Sequence, residues 1–481
     1  MEEKLLVGFS EKSITPDRPV SLAGQFHVRI SEYVETHVMV NVMAVETAKD
    51  QMFLCSCDLV RVSAALVRSV RKKVAEKNSE INLDKIIISA THTHTSLQFD
   101  APEDSTRPEP TQYDNANTIM PDGKKFVSNI NLGDDVLVGR ECSEFLSDRI
   151  SDAICEAWSN RKHSFCSPGF GRACIGHCRR VIRNQGVQRL GYKIEEDSFC
   201  AVEGPNDSGI EMIFICDNTY KPVGVVASVA CPSQIVEFKN FISSDYWGKT
   251  RMFLKAHFGE DFHVIGLCSA AGDQSPRDTV RWGKGLEPSM CDVEGTIAVG
   301  KLLSTTIIEA FEKAKNTLTD KIELNHKTEV FDLPINKVSD EEYKEAKDGL
   351  YSYVKEANKD EFTFEDMIRI HPEVGKVFLY EWQNNVDTLP AEIHIVRFGN
   401  MAIATSPFEL FLDYGNQIKA RSKANQTLLI QLACDSMGYL PTRKAVPHGG
   451  YGTSIVSCYC GYEGGELLVE KTLKVMNSMW D

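Results

Sequence analysis

The chain has 481 residues, 42% hydrophobic and 25% charged, an ordinary globular composition that allows two or three domains or one large α/β unit with insertions. Its formal net charge of −15 argues against nucleic acid or an anionic membrane as the main partner, since both select basic surfaces. No apolar stretch reaches the ~20 residues that span a bilayer, the start Met1 to Phe9 lacks a signal peptide's apolar core, and fifteen cysteines lie scattered in and beside apolar runs as reduced thiols do, so a cytoplasmic protein is expected.

In chain order, a short strand-like segment precedes Ile14-Thr15-Pro16, and the apolar runs Val38 to Val45 and Met52 to Cys57 read as two strands joined by a turn near Lys49-Asp50. Leu66, Val67, Val70 and Val74 then recur at helical spacing after a possible N-cap at Ser63. The next run, Ile86-Ile87-Ile88-Ser89, ends in Ala90-Thr91-His92-Thr93-His94-Thr95-Ser96. Strand, helix, strand is the order of α/β layers. Residues 97–136 break the rhythm with four prolines between Asp100 and Asp135, and a loop of that length is expected to shape the substrate or form a surface excursion. A helix follows through Phe145, Leu146, Ile150, Ala153, Ile154 and Ala157, its apolar face interrupted by Arg149.

Further on, Val223 to Ala230 and His263 to Cys268 read as buried strands, and Val293 to Ala314 as a long helix. Ser339-Asp340-Glu341-Glu342 has capping-box spacing and opens a charged helical insertion or cap, 339–385. Strands resume at Glu392 to Phe398, Met401 to Thr405 and Leu428 to Ala433, and a helix from Gly465 to Met476 follows the glycine-rich stretch Gly449 to Gly452. With no repeat or low-complexity linker, a single α/β domain over 1–481 is expected, layered sheets flanked by helices with insertions at 97–136 and 339–385.

The chemistry-bearing residues cluster at strand exits. His92 and His94, two apart in an extended segment, can face one cleft. Cys231, Asp273 and Ser275, Glu409 and Tyr439 each stand a few residues beyond an apolar run, where sheets of this kind bind ligands. Imidazole, thiolate and carboxylate are all zinc ligands, and catalytic zinc keeps three of them with one open position.

The stretch Ala90 to Ser96 resembles the Ala-Thr-His-Thr-His-Ser signature of the neutral, non-lysosomal ceramidase family. Ile14-Thr15-Pro16, Asp58, Ser244 to Gly248, Gly272-Asp273-Gln274-Ser275-Pro276, Pro407-Phe408-Glu409 and Gly438 to Thr442 follow in that family's order. The resemblance runs from about residue 7 to the C-terminal helix, and the family's additional immunoglobulin-like C-terminal domain is not expected within these 481 residues. It implies a ceramidase-like catalytic fold and a zinc-dependent amide hydrolase. It further implies a Zn²⁺ held by His92, Cys231, Glu409 and Tyr439, with Cys231 standing where the family has histidine. His94 is implied as proton shuttle, Arg179 and Tyr439 as oxyanion partners, and Ser275 as a further active-site residue, although its Gly-Asp-Gln-Ser-Pro turn reads equally well as structural. Cys178 stands where the family has asparagine beside that arginine. The expected substrate is a small polar molecule with an N-acyl group, not necessarily ceramide. The same water activation would also suit a carbohydrate or ester hydrolase or lyase, and the scaffold could serve a non-catalytic binding protein.

Overall fold

The run Met39–Glu46 turns Val40, Val42 and Ala44 to one side and Met43 and Val45 to the other, and both sets are buried. A strand with two apolar faces must be covered on both. The computed structural model, which describes residues 4–99, 116–127, 132–184, 189–190, 198–286 and 290–481, achieves this with four layers.

The principal elements are β1 (Leu6–Ser13), β2 (Met39–Glu46), β3 (Gln51–Cys57), α1 (Ala64–Lys77), β4 (Ile86–Ala90), α2 (Gly139–Ser159), β5 (Lys162–Arg172), β6 (Gly209–Asp217), β7 (Pro222–Val229), α3 (Asp245–Phe258), β8 (His263–Cys268), α4 (Val293–Ala314), β9 (Leu324–Pro334), α5 (Asp340–Ala357), α6 (Phe364–Trp382), β10 (Thr388–Phe398), β11 (Met401–Thr405), α7 (Leu412–Arg421), β12 (Gln426–Ile430) and α8 (Gly461–Asn477). Eight strands form one sheet in the order β8-β7-β6-β5-β1-β2-β3-β4, parallel at its two edge pairs. Four form a second sheet, β9-β10-β11-β12, parallel at β11–β12.

The sheets pack face to face through Met43, Leu54, Ile213, Ile265, Val396, Ile403 and Leu428. The outer face of the larger sheet is covered by α1 and α2 on one half and by α3 and α4 on the other. The outer face of the smaller sheet is covered by α7 and α8. This is a mixed α/β fold of layered sheets flanked by helices.

Two segments stand apart from those layers. The helical insertion is two helices: Ser339 makes the expected capping box with Glu342, and Asn358 ends α5 in a left-handed turn at φ 46°. Residues 116–127, the described middle of the long loop, pack against it. Lys125-Phe126 pairs in parallel with Glu361-Phe362. Ala116, Ile119, Met120 and Phe126 share one apolar cluster with Leu350, Phe362, Ile370 and Val377. Residues 116–127 and the helical insertion are therefore parts of one cap. Residues 100–115 of that loop lie outside the described residues.

Five principal elements, β5, β6, α3, β9 and α7, are not anticipated from the sequence, and in three of them the local pattern itself misleads. Strand β5 carries Pro168, Gly169 and Gly171, signals that argue against a strand. Helix α3 has no clean apolar stripe, because Asp245, Thr250 and Arg251 are buried along with Trp247 and Leu254. Strand β9 mixes charged and apolar positions, with only Leu324, His326, Phe331 and Leu333 buried.

Candidate active site

Strand β4 runs straight into the double-histidine segment, which two main-chain bonds hold beside β3: Thr91 N–H donates to Cys57 O (2.9 Å) and Thr93 N–H to Leu59 O (3.1 Å). Between them His92 adopts φ 66°, a left-handed conformation costly for a side chain of its size. Its ring is fixed by Nδ1, 2.6 Å from Val60 O. A carbonyl only accepts, so Nδ1 carries the hydrogen and Nε2 the lone pair. That lone pair stands 3.4 Å from Glu409 Oε2 and 3.4 Å from His94 Nε2.

His94 is caged. Gln234 Nε2 lies 2.7 Å from its Nε2, and Glu237 Oε2 lies 3.8 Å from its Nδ1. Arg29 donates to the carbonyls of His94 (2.6 Å) and Ala23 (2.7 Å). Gly24, at φ 93°, presses its backbone on the ring, where a Cβ would come within 2.4 Å. Burial pushes the His94 pKa well below the ordinary value, and the neighbouring His92 and Arg29 push it further. The ring is therefore neutral.

Glu409 and Tyr439 arrive together as a two-residue parallel pair, Glu409-Leu410 against Tyr439-Leu440. The Tyr439 hydroxyl receives a bond from Arg179 Nη2 (3.1 Å), which also reaches Gly272 O (2.9 Å). Gly272 must be glycine, because a Cβ there would lie 2.3 Å from Glu409 O. Burial works against ionisation of Glu409, but a proton on His92 Nε2, then Arg179 and the Tyr439 hydroxyl, more than offset it and hold its pKa below the usual carboxylate value. Burial first, then Glu409 and Tyr451, raises Tyr439 well above a normal phenol, so it stays protonated.

These groups open into a cleft of about 410 Å³. His92, His94, Glu409 and Tyr439 line its floor, while Phe26, Tyr451 and His371 of the cap line its mouth. Phe26 stacks edge-on with both His371 and Tyr451, with centroids 6.3 and 6.2 Å away. The glycine-rich stretch bearing Tyr451 is clamped by buried Arg180, which donates to the carbonyls of Gly449 and Tyr451 (2.9 Å each) while paired with Glu203.

Two expected site residues face elsewhere. Cys231 is fully buried, but its Sγ points at the carbonyls of Ile175 (3.6 Å) and Pro232 (3.4 Å). Burial, then Cys268 and Asp245, drives its pKa well above that of a free thiol. Ser275 Oγ accepts from Arg277 N–H (3.2 Å), and Asp273 caps α7 by accepting from Leu412 N–H (2.9 Å), a structural use of that turn. Neither Cys231 nor Ser275 is among the residues lining the cleft. Glu237, Arg277 and Gln234 behind His94, and Phe26 and His371 at the mouth, carried no sequence signal. Tyr451 stood in the glycine-rich stretch but was not singled out.

The donors at the floor suit a divalent cation, because in the neutral ring His92 Nε2 offers its lone pair 3.4 Å from Glu409 Oε2 with a phenol alongside, where a cation takes the place of the ring's second proton. Among the described residues, a tighter group of three donors lies elsewhere: Glu392, His394 and Cys434 have ligand atoms within 4.8 Å of one another and could hold a metal ion.

No family model matches the chain, and neither does any curated protein. Solved structures do. Neutral ceramidase from Pseudomonas aeruginosa superposes with a TM-score of 0.71 at 14% identity, over 100% of this chain and 75% of that one. A ceramidase described as complexed with C2 gives 0.70 at 12% identity, over 100% and 76%. At such identity the likeness is one of architecture, and it runs through every layer of the molecule: the chain has the neutral ceramidase fold.

Proposed function

We propose that the cleft is the active site of a metal-dependent hydrolase that cleaves an N-acyl (amide) bond. The observation that carries this reading is the convergence of His92, Glu409 and Tyr439, from three separate chain segments, on the floor of one cleft, with Arg179 holding the Tyr439 hydroxyl. The ceramidase fold supports it.

His92, Glu409 and Tyr439 would hold the cation. When bound, such an ion supplies Lewis acidity and lowers the pKa of water toward ~7. His94, neutral and beside His92, accepts the proton of the attacking water at Nε2 in exchange for the hydrogen bond from Gln234 and returns it to the leaving amine. Tyr439 donates to the oxygen that becomes negative at the acyl carbon, oriented by Arg179, which stays charged. Phe26, Leu432, Val456 and Tyr459 give the cleft apolar walls for the acyl chain. The cap, through His371, narrows the way in for solvent.

The test is metal content and hydrolysis of a panel of acylated amines, with esters and glycosides as controls. Chelation and His92→Ala are each expected to reduce amide hydrolysis at least ~10³-fold. Undiminished hydrolysis in His92→Ala, or turnover of glycosides in preference to amides, overturns the reading.

A further inference from the structure

Glu392 and His394 stand two apart on β10 and share one face of the strand. Cys434 joins them from the turn after β12, which is tied to β4 by the bond from Cys434 N–H to Ile88 O (2.8 Å). His394 Nε2 lies 2.9 Å from Glu392 Oε1 and 3.4 Å from Cys434 Sγ. Behind the ring, His394 Nδ1 lies 2.9 Å from His326 Nε2, and His326 Nδ1 lies 3.3 Å from Gln51 O.

The Gln51 carbonyl fixes the order of protons along this chain. It can only accept, so His326 Nδ1 carries a hydrogen, and the neutral ring's Nε2 is left as an acceptor. The hydrogen between the two rings therefore sits on His394 Nδ1. That leaves a lone pair on His394 Nε2 aimed at a carboxylate oxygen 2.9 Å away and at a thiol. Arg71 already sets a positive charge beside this point, Nη2 lying 2.6 Å from Glu392 Oε1 and 3.9 Å from Cys434 Sγ, and the lone pair itself is open either to the Cys434 thiol hydrogen or, once the thiol is ionised, to a metal ion shared by all three side chains. Histidine, thiolate and carboxylate together are a zinc-type donor set. A ligating histidine whose other N–H is held by a fixed partner is the usual outer arrangement of such sites.

The rest of the geometry serves the same end. Arg71 grips Glu392 in a fork, Nη1 to Oε2 at 3.0 Å and Nη2 to Oε1 at 2.6 Å, and fixes the carboxylate. The Glu392 side chain remains 29% exposed, which leaves an access path and room for a solvent ligand. The turn bearing Cys434 is strained, with Leu432 at φ 51° and Cys434 at φ 61°. Its Leu432 lines the cleft and accepts at its carbonyl from Ala90 N–H (3.3 Å).

We propose that Glu392, His394 and Cys434 form a structural site for a divalent cation of the zinc class, with His326 as outer partner, and that the bound ion clamps the strained Leu432–Cys434 turn between β10 and β4. This site stands independently of the chemistry assigned to the cleft.

The experiment uses the full chain carrying His92→Ala and Glu409→Gln, so that the cleft donors are gone. After metal stripping and addition of Co²⁺, a single cobalt should bind with a thiolate-to-cobalt charge-transfer band in the near ultraviolet. Adding Cys434→Ser or, separately, His394→Gln should abolish the band, with circular dichroism confirming that each variant is folded. Chelation should lower Tm of the cleft-disabled chain and leave the Cys434→Ser chain unmoved. No cobalt binding by the cleft-disabled chain, or a thiolate band that survives Cys434→Ser, overturns the proposal. A wild-type chain that binds metal only through Cys434 sinks the cleft reading and leaves this one standing.

Discussion

Asp245 opens helix α3 at φ 52°, fully buried, with its two carboxylate oxygens accepting from Val236 N–H (3.0 Å) and Tyr246 N–H (2.8 Å). Burial exceeds the help of those bonds and lifts its pKa to about 6. An acid raised above its unfolded value of ~3.9 favours the folded state while protonated. Its stabilising contribution is therefore present below about pH 4 and lost as pH rises through about 6. Urea unfolding of the wild type and Asp245→Asn from pH 4 to 7 should show the wild type losing stability relative to the variant across that window. Parallel pH profiles would refute it. In the cleft, His94→Gln should lower kcat ~10²- to 10⁴-fold with metal content unchanged. Cys231→Ser should retain the metal, because its Sγ faces main-chain carbonyls; loss of metal in that variant would restore the thiol as a ligand. His92, His94, Glu409 and Tyr439 were legible because each sits in a short contiguous pattern at a strand exit. The direction of Cys231 was not, since a position at a strand exit does not fix where the side chain turns. Glu237 was invisible because it reaches His94, and is itself held by Arg277, from a segment that looks like ordinary loop.

The cap is the element on which access to the cleft depends. It holds its own apolar cluster and touches the mouth through His371, and Gly375 packs against Val456 of the cleft wall. Leu350 is fully buried within that cluster. Leu350→Ala should cost about 2–5 kcal/mol of local stability. Hydrogen exchange should then rise in residues 340–382 and 116–127 together, while the two sheets keep their protection. Exchange rising in only one of the two segments would mean that they are not one unit. With the mouth loosened, KM should increase more than kcat falls. The start of α5 was readable from the four residues Ser339 to Glu342, because a capping box is local chemistry. The partner segment 116–127 was not, because nothing in a loop's composition names the distant surface it will pair with.

Across the whole molecule, alternation and apolar runs identified most strands, and the parallel pairs β3–β4 and β11–β12 put their exits together at the cleft. Which strand sits beside which was not readable: β5 joins β1 to β6 despite its proline and glycines, and long-range pairing of that kind has no local signature. All fifteen cysteines are thiols, and of these Cys174 and Cys200 are exposed. A thiol reagent should therefore modify two cysteines quickly in the native protein and the others on unfolding or slow opening; rapid modification of most of them would contradict the packing. The pairing within the cap also bears on synthesis. Lys124 meets Asp360, 236 residues later in the chain, so at about 5–20 residues per second a ribosome would take about 10–50 s to deliver the second half after the first. For that interval Ile119, Met120 and Phe126 would be without their partners on α5 and α6, an apolar stretch of the nascent chain for a chaperone to cover.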